Sequence, residues 1–175
     1  MLRLFRENIA MASYYRDPSG FVKEYHHVNY NSNDKDMEPF DHKLARENVM
    51  SWYERKNKYI AYGNKPIQFP PSFIAKHKLK YEIHEYDVWV YDSRIAITKF
   101  VLEIDQKEND TVTLPTGSKL EVTQSRHNTP TQIIKDQIAE DYIHEYYPNV
   151  KFMRIQKTDC FFPKKLNKIL SEFSK

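Results

Sequence analysis

Apolar and polar positions along this chain change period several times, and each change marks an element. Leu44, Val49, Trp52, Tyr53, Tyr59 and Ile60 fall at helical spacing. Asp41 stands before them as an N-cap, Gly63-Asn64 follows as a stop, and Pro66, Pro70 and Pro71 forbid continuation, so the pattern predicts a helix over 42–62. Around 79–91 and 95–105 the composition turns to Val, Ile, Trp, Tyr and Phe, as in Val88-Trp89-Val90-Tyr91 and Phe100-Val101-Leu102, which predicts two strands. Thr111 to Val122 reads as an inserted hairpin turning at Pro115-Thr116-Gly117. Ile133, Ile134, Ile138, Tyr142 and Ile143 return to helical spacing behind Thr129-Pro130, predicting a helix over 130–147 that Pro148-Asn149 ends. Val150, Phe152 and Ile155 form a short strand, and a last helix runs from Lys164 to Phe173 behind Pro163. Before all of these, Met1 to Ala12 reads as a short helix and 17–39 as a long polar loop or arm.

The order helix, strand, strand, helix, strand predicts an α/β (α+β) fold, a central mixed sheet flanked by helices. A length of 175 residues suits one domain. Its parts are an N-terminal arm over 1–40, a core over 41–156 and a C-terminal helix over 163–174.

Acids cluster at the ends of the two central strands. Asp87 heads the first run, and Glu103 and Asp105 end the second. Two residues apart on a strand, Glu103 and Asp105 point to one face. If the runs pair, Asp87 joins them, and three converging carboxylates need a divalent cation between them. The bland alternative is a solvated hairpin with scattered acids. His84 either sits beside Asp87 or decorates an exposed strand face, and the second reading ranks higher. His26-His27 face different ways in regular structure, which argues against a metal role.

Composition narrows the chemistry. Three glycines leave no phosphate-cradling loop of the G-x-G-x-x-G or Walker type. The single Cys160 excludes an internal disulfide and a cysteine-built zinc site. No apolar run approaches the ~20 residues that span a bilayer, so no membrane partner is expected and an intracellular location follows, in a host cell if the source is viral. The net charge is only +3, but from Val150 to Lys175 seven basic residues face two acids. Basic residues interleaved with aromatic ones suit phosphate contact and base stacking, and Lys56, Lys78, Arg126, Lys164, Lys165 and Lys168 are the candidates. For any one cluster a solvated face is the plainer account.

Taken together, Asp87, Glu103-Ile104-Asp105, His127, Asp136 and Arg154-Ile155 resemble the PD-(D/E)XK nuclease superfamily. The branch it looks like is that of very-short-patch repair endonucleases and small viral nucleases. The resemblance covers roughly half of the chain. It implies a restriction-endonuclease-like core and metal-dependent hydrolysis of phosphodiester bonds in DNA, with RNA as the second substrate class. Homodimer formation stays open. Asp87 and Glu103 would hold Mg²⁺ or Mn²⁺, with the Ile104 carbonyl or Asp105 completing the shell. Lys107, Gln124 or His127 would orient the attacking water or protonate the leaving oxygen. A Glu on the preceding helix often reaches the metal in this family, and Glu47 or Glu54 stands in that place. Gln106 replaces the usual Gly after Glu-x-Asp, and the usual lysine is displaced. Those departures keep two other readings in play: the same fold as an inert nucleic-acid- or polymerase-associated binding module, and a small α/β interaction protein.

Overall fold

The computed structural model describes residues 38–125 and 129–175, and the backbone of two short strands before them. The chain divides into two compact units, Met1–Glu38 and Pro39–Lys175. In the first, β1 (Tyr14–Arg16) pairs antiparallel with β2 (Val22–Glu24), Tyr14 opposite Glu24. Thus the arm expected over 17–39 contains a strand. The short helix expected over Met1–Ala12, and His26-His27, lie outside the described residues.

The second unit is built from α1 (Phe40–Glu54), β3 (Tyr59–Gln68), α2 (Pro71–His77), β4 (Ile83–Asp92) and β5 (Thr98–Asp105). The hairpin β6 (Asp110–Thr113) and β7 (Lys119–Val122) follows, then α3 (Pro130–Tyr146), β8 (Lys151–Gln156), a 3-10 turn (Lys157–Phe161) and α4 (Pro163–Phe173). The central sheet runs β3-β4-β5-β8. β3, β4 and β5 form an antiparallel meander, and β8 returns parallel to β5 after the hairpin and α3. The fold is therefore mixed α/β around a mixed sheet, as the element order predicts.

Both faces of the sheet are buried. Val88, Val90, Phe100, Leu102 and Ile104 pack with Ala45, Val49, Trp52 and Tyr53 of α1 and with Leu166 and Leu170 of α4. Trp89, Tyr91 and Val101 pack with Phe69, Phe73, Ala139, Tyr142 and Ile143 on the side of α2 and α3. Two-sided burial is why β4 and β5 read as nearly continuous apolar runs. Within α3 the buried stripe is Ala139, Tyr142 and Ile143, whereas Ile133 and Ile134 of the expected stripe stay exposed in the first turns. The hairpin forms its own two-stranded sheet and adds Val112 and Val122 to the α1-side core.

The helix expected over 42–62 is corrected. It ends at Glu54, and Tyr59–Gln68 is the edge strand β3. Tyr59 and Ile60 continue the helical spacing by coincidence. The break comes at Asn57, whose φ of 56° is left-handed, in an exposed run Arg55–Lys58. Asn tolerates that conformation better than other non-glycine residues, which is the signal that a search for Gly and Pro passes over. Pro66 sits inside β3, where an edge position spares it a missing ladder donor. Nor is Asp41 the cap: Pro39 is the N-cap, and Asp41 lies buried in the first turn.

Both β3 and β4 change face midway. Tyr86 packs on the α3 side and Val88 on the α1 side, although two apart on a regular strand they would share a face. In β3, Ala61 packs on the α1 side and Ile67 on the α3 side. The switches fall at Asp87 and at Asn64, which has a φ of 49° and accepts a 2.9 Å hydrogen bond from Arg46 Nη1. Gly63 makes room for this arrangement, because a Cβ there would lie 2.7 Å from Arg46 Nε and 3.0 Å from Met50 Sδ. We expect Gly63→Ala to destabilise the protein by about 1–3 kcal/mol through overpacking, read as a lower urea midpoint. An unchanged midpoint would mean that α1 does not press on the strand at this point.

Candidate active site

The backbone ladder between β4 and β5 ends at Val88 opposite Leu102. Beyond it, carboxylates take over the work of backbone carbonyls. Ile104 N donates to Asp87 Oδ2 at 2.7 Å, and Asp87 N donates to Glu103 Oε2 at 3.3 Å. The two carboxyls also adjoin each other, and each shifts the other's ionisation. Asp87 and Glu103 thus meet where the two strands stop pairing.

Each carboxyl carries a histidine on its far side. His42 Nε2, from the first turn of α1, lies 3.0 Å from Asp87 Oδ1. His84 Nε2, from β4, lies 2.9 Å from Glu103 Oε1. The result is a line of hydrogen bonds, His42–Asp87–Glu103–His84, that crosses the sheet from the α1 side to the α3 side. His84 is wedged edge-to-face against Tyr86, with ring centroids 4.6 Å apart, so it is not the exposed decoration that the sequence favoured. Glu103 is 6% exposed, whereas His42, Asp87 and His84 keep 15–17%, so solvent reaches the line at its ends and at Asp87.

The electrostatics divide the pair. Burial, then the neighbouring Asp87 charge and the shared hydrogen bond, push the Glu103 carboxyl well above the usual range, against a smaller lowering by Arg154. Burial also pushes Asp87 upward. The hydrogen bond and charge of His42, the Ile104 N–H and the Glu103 carboxyl outweigh it and hold Asp87 below its usual value. The two carboxyls titrate together, and Glu103 is the harder of the two to ionise.

The other candidates lie as follows. Asp105 is on the face that alternation assigns, but its Oδ2 takes Arg154 Nη1 at 3.3 Å from β8. Arg154 also donates to the Asp136 carbonyl at 2.9 Å and stands 3.9 Å from Glu140, tying α3 to the sheet. Asp105 is thus engaged by Arg154. Glu47 is exposed, and α1 reaches the pair through His42 instead; Glu54, two turns on, is half-buried. Lys107 is exposed at the start of the insertion, where its N–H meets Gln156 Oε1 at 3.3 Å. Gln124 Nε2 donates to the Lys107 carbonyl at 2.8 Å, so this amide closes the base of the hairpin. His127 and Arg126 lie outside the described residues. Lys56 lies over the Trp52 ring at 4.6 Å, Lys78 ends α2 in a left-handed conformation, and Lys165 pairs with Asp159 at 2.6 Å. Lys164 and Lys168 are exposed on α4.

Sequence reasoning passed over His42 and the buried Lys157. Lys157 Nζ lies 3.1 Å from Asp41 Oδ2 and 2.8 Å from the Thr123 carbonyl. Among the described residues no three His, Cys, Asp or Glu side chains converge as metal ligands. Two hard-oxygen carboxyls do converge, and burial and the Asp87 charge make Glu103 hard to ionise. That donor chemistry fits a small divalent cation such as Mg²⁺ or Mn²⁺. Comparison with family models, with curated proteins and with solved structures finds no match.

A pH dependence follows. Above about 4.5, the ordinary glutamate value, the unfolded chain has released a proton that folded Glu103 still holds. Stability therefore falls as pH rises through the raised value, by up to about 1.4 kcal/mol per pH unit. Asp87 acts in the opposite sense and only in acid, since its contribution is lost as pH falls through its lowered value. We expect metal-free Glu103→Gln to lose less stability than the parent as pH rises above about 4.5, measured by urea unfolding. Parallel pH profiles would show that Glu103 does not hold the proton.

Proposed function

We propose that the chain is a divalent-metal-dependent nuclease of the PD-(D/E)XK type acting on DNA, with Asp87 and Glu103 as its cation ligands. The observation that carries this reading is the meeting of the two acids on adjacent central strands, where Asp87 N donates to Glu103 Oε2 and Ile104 N to Asp87 Oδ2. The order α1, β3, α2, β4, β5, the β6–β7 hairpin, α3, β8, with β8 parallel to its neighbour β5, supports a restriction-endonuclease-like core.

When bound, Mg²⁺ or Mn²⁺ would polarise a phosphoryl oxygen and lower the pKa of a water. Asp87, already ionised and oriented by His42 and Ile104 N–H, is the ligand ready in advance. Glu103 must release its proton to become the second, so cation affinity should rise with pH. His84 keeps the Glu103 carboxyl turned toward Asp87 throughout. Exposed Lys164 and Lys168 supply phosphate contacts away from the acids, which would themselves repel DNA.

Two observations favour the inert binding module. The cation acting on Glu103 is Arg154, and Lys107 sits exposed at the hairpin base. Nicking of supercoiled plasmid and loss of linear duplex, in Mg²⁺ or Mn²⁺ against EDTA, separate the two readings. We expect Glu103→Ala and Glu103→Gln to abolish cleavage while DNA binding persists or strengthens. Lys164→Ala and Lys168→Ala should weaken binding on all sequences and flatten its salt dependence, with cutting retained at saturating DNA. A parent that binds DNA but never cuts with any divalent ion would establish the inert module. A Glu103→Ala variant that cuts like the parent would remove the assigned site.

A further inference from the structure

His42 reaches Asp87 from the first turn of α1, a part of the helix that its own sequence does little to fix. The N-cap is Pro39, which offers no capping side chain, and Lys43 N meets the Pro39 carbonyl at 3.0 Å. Further along, Asn48 is tied to the Cys160 carbonyl at 3.1 Å and Trp52 to Asn167 at 3.0 Å, but these bonds lie beyond the first turn.

What holds the first turn is next to His42 in sequence. Asp41 is 4% exposed, and its Oδ2 accepts from Thr123 N at 2.8 Å, Thr123 Oγ1 at 3.0 Å and Lys157 Nζ at 3.1 Å. Lys157 is 2% exposed and also donates to the Thr123 carbonyl at 2.8 Å. Three elements meet at this point: the start of α1, the exit of β7 and the 3-10 turn that follows β8. An ion pair this deeply buried is costly to desolvate and contributes little net stability compared with an apolar replacement. What it supplies is a fixed geometry, since a rigid Asp41 leaves the adjacent His42 little freedom.

We propose that Lys157 is a positioning residue of the site, acting through Asp41 and Thr123 to set the first turn of α1 and so hold His42 against Asp87. The proposal rests on the cation-binding reading of the Asp87–Glu103 pair for its effect on function, but its geometric content does not.

The test uses the full chain and two readouts. In metal-free protein, nitrogen-15 NMR follows the His42 imidazole Nε2 that meets Asp87. Lys157→Met should shift this resonance, and Thr123→Val, which removes only the clamp hydroxyl, should shift it the same way by less. With Mn²⁺ as probe, calorimetry below the unfolding temperature of each variant should find affinity reduced about tenfold or more in Lys157→Met, as for other residues that orient metal ligands. Leu170→Ala, a core truncation in α4, serves as the stability control and should keep the parent's Mn²⁺ affinity and His42 resonance. The proposal is overturned if the resonance is unmoved by Lys157→Met, or if Leu170→Ala lowers Mn²⁺ affinity as much for the same loss of stability. A parent that binds no Mn²⁺ would remove the cation reading alone, and the His42 resonance would then decide the clamp by itself.

Discussion

The interruption of strand pairing at Asp87 is the constraint on which the rest of this structure depends. A central strand normally spends every backbone N–H and C=O on its neighbours. At Asp87 the β4–β5 ladder stops, and the two side-chain carboxyls accept the freed N–H groups of Ile104 and of Asp87 itself. The same break turns β4 over, so that Tyr86 packs toward α3 and Val88 toward α1. Tyr86 uses its position to donate to the Ala139 carbonyl at 2.7 Å, which fixes α3 beside the site. One local departure from the pleat thus supplies a polar site inside a two-sided apolar sheet and sets where both layers of helices sit.

A site of this kind must be supported from several directions, because its acids repel each other and its backbone is irregular. Support on the α1 side comes through His42, with Arg46 one turn later bonded to Asn64 at the matching kink in β3. On the α3 side it comes from His84 and from Arg154, whose charge lowers Glu103 and whose bonds reach Asp105 and the Asp136 carbonyl. Burial and the Asp87 charge still dominate, so Glu103 stays hard to ionise. In the proposed reading, a divalent cation between the two carboxyls converts this break in the sheet into a reactive site.

The parts legible in the sequence are those set by burial. The runs of β4 and β5, the helix behind Thr129-Pro130 and the hairpin at Pro115-Thr116-Gly117 all announce themselves through apolar period or turn residues. The pairing of Asp87 with Glu103 was legible because both lie at the ends of such runs. β3 was not, since Tyr59 and Ile60 extend a helical stripe and the turn before them relies on Asn57 alone. His42 and His84 carry no local pattern, and the Asp41–Lys157 pair spans 116 residues. Alternation put Asp105 on the same face as Glu103, but the partner that engages it, Arg154, arrives on a strand that alternation within β5 says nothing about.

The most direct test of the central claim is crystallographic. Crystals soaked in Mn²⁺ would be measured at a wavelength where manganese scatters anomalously, and the ligands of any bound ion read from the map. The expected ion is coordinated by both Asp87 and Glu103, with the direct contact between the two carboxyls broken. An ion bound elsewhere, or a carboxyl pair still in contact at saturating Mn²⁺, would contradict that claim.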